Sequence, residues 1–109
     1  MSTNLPAPVA AYLEAKDDDH VEAVLESFTD DAIVHDEGKD HVGIAAIRDW
    51  AAAISTTYQL ERTVLETRRT GAATVVLVRV AGNFPGSPVD LHHHFTDSGD
   101  RIAALTICP

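Results

Sequence analysis

The chain has almost no cysteine: Cys108 is the only one among 109 residues. A single cysteine cannot form an internal disulfide bond, so we expect a reducing compartment, the cytoplasm. No neighbour in the sequence would activate the Cys108 thiol, which favours a small apolar strand residue over a nucleophile.

Long apolar runs are missing as well. The longest aliphatic run, Val75 to Val78, is interrupted by Arg79, whereas a membrane-spanning helix needs about 20 apolar residues. The N-terminal segment MSTNLPAPV lacks a basic region followed by an apolar block, so we expect no secretory signal. The length of 109 residues predicts one domain over residues 1–109 with a single modest core. The missing apolar run predicts no membrane partner.

Basic residues are scarce, with 8 lysines and arginines against 17 acidic residues and a formal net charge of −9. Eleven of the acidic residues lie before residue 41. The resulting negative field repels phosphate groups, which makes nucleic acid an improbable partner and disfavours anionic membrane surfaces.

Three stretches have the apolar spacing of amphipathic helices. The first covers residues 5–16, the second begins near residue 21, and the third follows Gly43. Their apolar stripes consist of Leu5, Val9, Tyr12 and Leu13, of Val21, Val24, Leu25 and Phe28, and of Ile44, Ile47, Ala51 and Ile54.

Strand-like segments make up most of the remainder. A short apolar run, Ala32 to Val34, leads into His35 and Asp36, and four later segments are β-prone: 59–69, 73–81, 89–96 and 102–107. The predicted order is α-α-β-α-β-β-β-β. Early helices and late strands favour an α+β fold in which helices cover one face of an antiparallel sheet.

Several motifs are spread over most of the chain: Ala11-Tyr12-x-Glu14, Asp19 with Glu22-Ala23, Asp30-Asp31-Ala32-x-Val34-x-Asp36, Gly43, and Phe95 with Gly99-x-Arg101-Ile102. Together they resemble the nuclear transport factor 2-like superfamily, in its branch of SnoaL-like polyketide cyclases and ketosteroid isomerases. The resemblance implies a cone-shaped, strongly curved antiparallel sheet packed on three N-terminal helices. It also implies an apolar pocket for a small apolar or aromatic ligand, and a homodimer formed through the convex sheet face.

The resemblance gives Asp36 a role, because in such a cone the end of the first strand faces the pocket. Asp36 falls on the position of the general base in ketosteroid isomerases, which moves a proton alpha to a carbonyl. An apolar pocket desolvates a carboxylate and makes it a stronger base. From the residues alone, Asp36 beside Glu37 and Gly38 is also compatible with a strand that ends in solvent.

Tyr12 falls on the tyrosine that donates a hydrogen bond to the developing oxyanion in the same enzymes. A core tyrosine on the apolar stripe of the first helix is the alternative. The third isomerase residue, a protonated aspartic acid, falls on Leu91 or on His92, depending on how the last hairpin is aligned. Neither is an acid, so the isomerase set is incomplete in this chain.

The segment Leu91-His92-His93-His94-Phe95 has an unusual composition. Alternation along a strand places His92 and His94 on one face and the other three residues on the opposite face. If Leu91 lines the cavity, His93 does so too, and it could act as a second acid-base group or orient a ligand. Two histidines on one face need a further ligand to hold zinc, and no motif supplies one, so no metal is expected.

Four apolar residues are predicted to contact the ligand: Trp50, Phe84, Leu91 and Phe28. Trp50 would stack on a flat ligand, although a tryptophan on a helix stripe is more often part of the core.

Three hypotheses follow from these residues. The first is a cofactor-independent isomerase or lyase in which Asp36 is the base, Tyr12 the oxyanion donor and His93 a supporting group. The second is a non-catalytic binding or accessory module for an apolar metabolite. The third is a structural dimerisation domain with a filled cavity.

Overall fold

Three helices, α1 (Ala7–Asp17), α2 (Val21–Glu26) and α3 (Ile44–Thr57), pack on a six-stranded sheet. The computed structural model describes residues 5–71 and 73–109. The strands are β1 (Phe28–Asp36), β2 (Lys39–Val42), β3 (Leu60–Thr70), β4 (Ala73–Gly82), β5 (Val89–Ser98) and β6 (Arg101–Cys108). None of the helices in the described ranges is long and apolar enough to cross a bilayer.

The strands lie in the order β2-β1-β6-β5-β4-β3, and the sheet curls without closing, so that β2 and β3 are free edges. The predicted α+β fold is confirmed, with one difference in strand direction. β1 runs parallel to β6, with Val34 opposite Leu105. The sheet is therefore mixed rather than wholly antiparallel.

The sequence does not predict β2, whose residues Lys-Asp-His-Val lack the alternation of a half-buried strand. This strand forms because the chain reverses at Glu37 and Gly38, which have φ angles of 54° and 76°. Two consecutive positive φ values are typical of the tight hairpin turn that joins antiparallel strands. The turn folds residues 39–42 back on β1, with Lys39 opposite Asp36.

The core lies between the helices and the inner face of the sheet. Tyr12 on α1 packs edge-on against Phe28 at the start of β1 and against Phe95 on β5, with ring centroids 5.6 Å apart in each pair. Edge-to-face aromatic pairs add about 0.5–1.5 kcal/mol beyond the burial of their surface. These contacts fix α1 against β1 and β5.

Gly82 ends β4 at a place where the neighbouring strand leaves no room for a side chain. A Cβ atom there would lie 2.3 Å from the Gln59 carbonyl oxygen and 2.7 Å from Leu60 Cδ2. We expect Gly82→Ala to lower the free energy of unfolding by about 1–3 kcal/mol, because the beginning of β3 must shift. Urea denaturation measures this loss.

Gly38→Ala is the matched control for Gly82→Ala. A Cβ atom at Gly38 meets nothing within 4 Å, but the residue has a φ of +76°. Its expected cost is therefore only the roughly 1 kcal/mol of a left-handed backbone conformation. If Gly82→Ala were the milder substitution, the steric argument would be wrong.

Candidate active site

A cavity of about 350 Å³ lies between the helices and the inner face of the sheet. Much of its wall is apolar, from Ile54, Leu60, Val80, Pro85, Val89 and Ile107. Six of the seven residues predicted from the sequence line this one cavity: Tyr12, Asp36, Trp50, Phe84, Leu91 and His93. A mostly apolar pocket with a few converging polar groups is the usual form of a small-molecule site.

Asp36 is partly buried at the end of β1, where alternation turns it to the same face as the buried Ala32 and Val34. The Trp50 indole Nε1–H on α3 donates a hydrogen bond to Asp36 Oδ2 over 3.0 Å. This bond orients the carboxylate. No described residue donates a hydrogen bond to Oδ1, so that oxygen is open to a proton or a ligand.

Tyr12 is only 1% exposed, and it lines the cavity. Burial raises the pKa of the Tyr12 hydroxyl well above its ordinary value; the Arg62 cation opposes this increase and the Asp36 charge adds to it. The phenol is therefore protonated at neutral pH. Such a group can donate a hydrogen bond to an oxyanion without losing its own proton.

Phe28 is the one predicted site residue that the described cavity lining does not include. It is 1% exposed and packs against Tyr12 from the core side, outside the cavity lining. The physical reason is that α2 ends at Glu26 and Phe28 starts β1, which turns its ring into the core. The contact of Phe28 with the site is through the Tyr12 ring, which it holds in place.

His93 is buried and faces the cavity, as its alternation with His92 and His94 predicts. Burial lowers the pKa of His93 to about 4; a backbone contact with Leu91 opposes this shift, while the positive charges of Arg62 and Lys16 add to it. The imidazole is neutral at pH 7. Its Nδ1 lies 3.4 Å from the Leu91 carbonyl oxygen, which can only accept, so we assign the proton to Nδ1 and an acceptor lone pair to Nε2.

The position of the third isomerase acid is occupied by an apolar residue. Leu91 lines the cavity, whereas its neighbour His92 is exposed on the outer face of the sheet. Of the two alignments that the sequence leaves open, only the one through Leu91 therefore points into the site. The described part of β5 therefore places no carboxylic acid in this cavity, whose carboxyl groups are those of Asp36 and Glu37 at the end of β1.

Lys16 and Arg62 also line the cavity, and the sequence interpretation missed both. Lys16 is 5% exposed, and its Nζ lies 4.3 Å from the centre of the Trp50 ring. Burial lowers the pKa of Lys16 to about 7, with the Arg62 cation lowering it further and Asp36 and Asp19 opposing. The Lys16 amine therefore gains or loses its proton near neutral pH.

A signal for these two cations is present in the sequence. Lys16 follows Val9, Tyr12 and Leu13 at the i+7 position of the α1 stripe, so helical geometry turns it to the buried face. Arg62 alternates with Leu60 and Val64 on β3, and these three residues are less exposed than the residues between them.

A second recess of about 360 Å³ adjoins the first and shares Asp36, Glu37, Trp50, Ile54 and Tyr58 with it. Its remaining wall comes from β2 and α3 and includes Lys39, His41 and Asp49. Asp36 thus lies where the two recesses meet. Within the described ranges, no three histidine, cysteine, aspartate or glutamate side chains converge as a metal-binding group.

Comparison with known proteins places the chain in a family. Residues 9–105 match the SnoaL-like domain, and the chain belongs to this family. A protein from Sinorhizobium meliloti, provisionally named a polyketide cyclase, is 38% identical with a TM-score of 0.94 over 98% of both chains. No curated protein sequence matches the chain significantly.

More distant structures share the fold. A Catenulispora acidiphila protein with a ketosteroid isomerase-like fold, solved with trimethylamine, is 18% identical with a TM-score of 0.85, over 97% of this chain and 87% of its own. The epoxide hydrolase/cyclase-like enzyme SalBIII, which has a role in pyran ring formation in the polyether salinomycin, is 20% identical with a TM-score of 0.81. That match covers 93% of this chain and 86% of SalBIII. At these identities the likeness concerns the fold alone.

Proposed function

We propose that the chain is a cofactor-independent enzyme of the isomerase or cyclase type, which moves a proton alpha to a carbonyl of a small molecule. Asp36 is the base, the Tyr12 hydroxyl donates a hydrogen bond to the developing oxyanion, and His93 supports the ligand. The observation that carries the proposal is that these three side chains, from α1, β1 and β5, line one largely apolar cavity.

The charges of the cavity support this division of roles. Abstracting a proton next to a carbonyl needs an anionic base and a donor that keeps its own proton. Tyr12 meets the second requirement because burial raises its pKa. Neutral His93 has an open acceptor at Nε2, which suits it to orient a ligand hydroxyl rather than to act as an acid. Trp50, Phe84 and Leu91 would contact the body of the ligand.

The apolar residue at Leu91 argues against a steroid isomerase and favours an easier proton transfer. A flanking carbonyl or an aromatic product would make the carbon acid more acidic, so one neutral donor would suffice. Leu91 in place of the third acid is also compatible with the second candidate function, a binding module that holds an apolar metabolite without reaction. The two candidates differ in whether a carbon-bound hydrogen of the ligand exchanges.

Deuterium exchange tests the proposal without knowledge of the natural substrate. The protein is incubated in D₂O with a panel of neutral and acidic aryl ketones, whose hydrogens alpha to the carbonyl exchange slowly in buffer, and proton NMR follows these hydrogens. We expect exchange above the buffer rate for at least one compound that binds. Binding of several panel members without exchange would favour the binding module.

The proposal includes a homodimer in the cytoplasm. Val75 and Leu77 on the outer face of β4 are aliphatic and only half-buried, and they pair with His94 and His92 on β5. An apolar strip on the convex face is suited to a second copy of the chain. Sedimentation velocity that returned only monomer at micromolar concentration would rule the dimer out.

A further inference from the structure

The amine of Lys16 is buried in the cavity wall, and no described carboxylate lies within ion-pair distance of it. Its residue is 5% exposed, and no described residue accepts a hydrogen bond from Nζ. The Nζ atom lies over the face of the Trp50 ring, 4.3 Å from its centre. A buried cation without a paired anion is costly, so an anion that binds beside this amine would stabilise its charged form.

A second cation, Arg62, lies beside Lys16 and adds to the positive potential at this end of the cavity. The Arg62 side chain is 9% exposed and lines the same cavity. Its Nη1–H donates to the Lys16 carbonyl oxygen over 3.3 Å and lies 3.7 Å from Asp17 Oδ1. Arg62 therefore has a partner at the end of α1, but its charge still repels that of Lys16.

The acidic residues of the cavity do not form an ion pair with Lys16. Asp36 and Glu37 line the cavity, but no described carboxylate lies within 4.0 Å of Lys16 Nζ. Asp36 Oδ2 is already occupied by the Trp50 indole. Two of the chain's 8 basic residues thus face this cavity, and one of them has no acceptor among the described residues.

We propose that the ligand carries a carboxylate and that Lys16 Nζ, with Arg62 beside it, binds this group inside the cavity. The ligand is then an acidic ring compound whose apolar body lies against Trp50, Phe84 and Leu91. This inference deepens the proposed function by naming its substrate class, and it rests on that function only for the location of the ligand.

The ionisation of Lys16 gives the site a pH dependence. The titratable and charged groups that surround it are Tyr12 and Asp19 from the α1 segment, Asp36 and Glu37 at the end of β1, Tyr58 after α3, Arg62 from β3 and His93 from β5. Lys16 has a pKa of about 7, so a bound carboxylate must raise it. His93 stays neutral in the same range, because its pKa is about 4.

The binding test uses 2-naphthoate and its neutral analogue 2-naphthylmethanol, followed by calorimetry and by the fluorescence of Trp50, the only tryptophan. At pH 6 we expect naphthoate to bind at least about tenfold tighter than the alcohol. Lys16→Met should remove this preference and leave the alcohol's affinity unchanged or higher. Arg68→Met, at an 80% exposed side chain, removes the same charge outside the cavity and should change neither affinity.

Lys16→Met is expected to fold, because methionine replaces a buried amine for which the described chain supplies no hydrogen-bond acceptor. Its melting temperature at pH 7 should equal or exceed that of the wild type. In the wild type, the naphthoate affinity should fall about tenfold from pH 6 to pH 8, as free Lys16 loses its proton. At pH 8, binding should take up a proton from the buffer.

Three results would overturn the inference: equal affinities for the two probes, a naphthoate preference that survives Lys16→Met, or a naphthoate affinity independent of pH. Because binding at equilibrium requires no turnover, these results are separate from the deuterium-exchange test. If naphthoate is preferred over the alcohol in a Lys16-dependent way but no ketone exchanges its hydrogens, the proposed reaction is wrong and the carboxylate site is supported.

Discussion

Asp36→Asn is expected to abolish turnover, with kcat lower by about 10²–10⁴-fold, while the affinity for the ligand stays nearly unchanged. Asparagine has the same shape as aspartate, and its amide oxygen can still accept the Trp50 indole hydrogen that now reaches Asp36 Oδ2 over 3.0 Å. The substitution therefore removes the proton acceptor and little else. A rate assay and a binding isotherm on the same preparation separate the two effects.

Glu37→Gln is the matched control for Asp36→Asn. Glu37 follows Asp36 in the chain, lines the same cavity and carries the same charge, so its amidation changes the field at the cavity without removing the proposed base. We expect its kcat to stay within a few-fold of the wild type. Equal losses in both variants would show that the negative potential matters and that Asp36 is not the base.

Tyr12→Phe is expected to lower kcat by about 10²-fold with a small change in KM, because the hydroxyl acts on charge that develops only in the transition state. The ring itself should pack as before between Phe28 and Phe95, at the 5.6 Å centroid distances of the wild type. The melting temperature should therefore be unchanged or slightly higher. This pairing of an impaired rate with intact stability separates an oxyanion donor from a core tyrosine.

Tyr58→Phe provides the comparison for Tyr12→Phe. Tyr58 also lines the cavity, but it is half-buried near the end of α3 and packs edge-on against Phe84, 6.1 Å between centroids. Loss of this second hydroxyl should leave kcat within a few-fold. If Tyr12→Phe were as active as Tyr58→Phe, the phenol of Tyr12 would be a core group and the proposed mechanism would lose its electrophile.

Much of the architecture follows from local periodicity in the sequence. The α1 and α3 stripes and the alternation along β5 predict which side chains face inward, and His93, Leu91 and Phe95 lie where that alternation places them. The periodicity of a single helix or strand is enough here, because it decides on which of two faces of the element each side chain lies. That these residues share one cavity could be predicted only from the family resemblance, because they come from segments far apart in the sequence.

The remaining features depend on information that periodicity does not contain. β2 forms because of a turn at Glu37 and Gly38 rather than because of its own residues. The parallel pairing of β1 with β6 joins segments far apart in the chain, and no local pattern specifies it. Lys16 lies on the apolar stripe of α1, but a lysine at a helix end usually reaches solvent, so burial of its amine becomes visible only with the sheet in place.

The inner location of β6 has a consequence for how the protein is made. This strand lies between β1 and β5, although it follows both of them in the chain. Until residues 101–108 emerge from the ribosome, no strand hydrogen bonds join the pair β1 and β2 to the group β3, β4 and β5. Pairing between segments far apart in the chain slows folding. Until β6 is in place, the edges of β1 and β5 that it covers stay unpaired, and chaperones can bind them during translation.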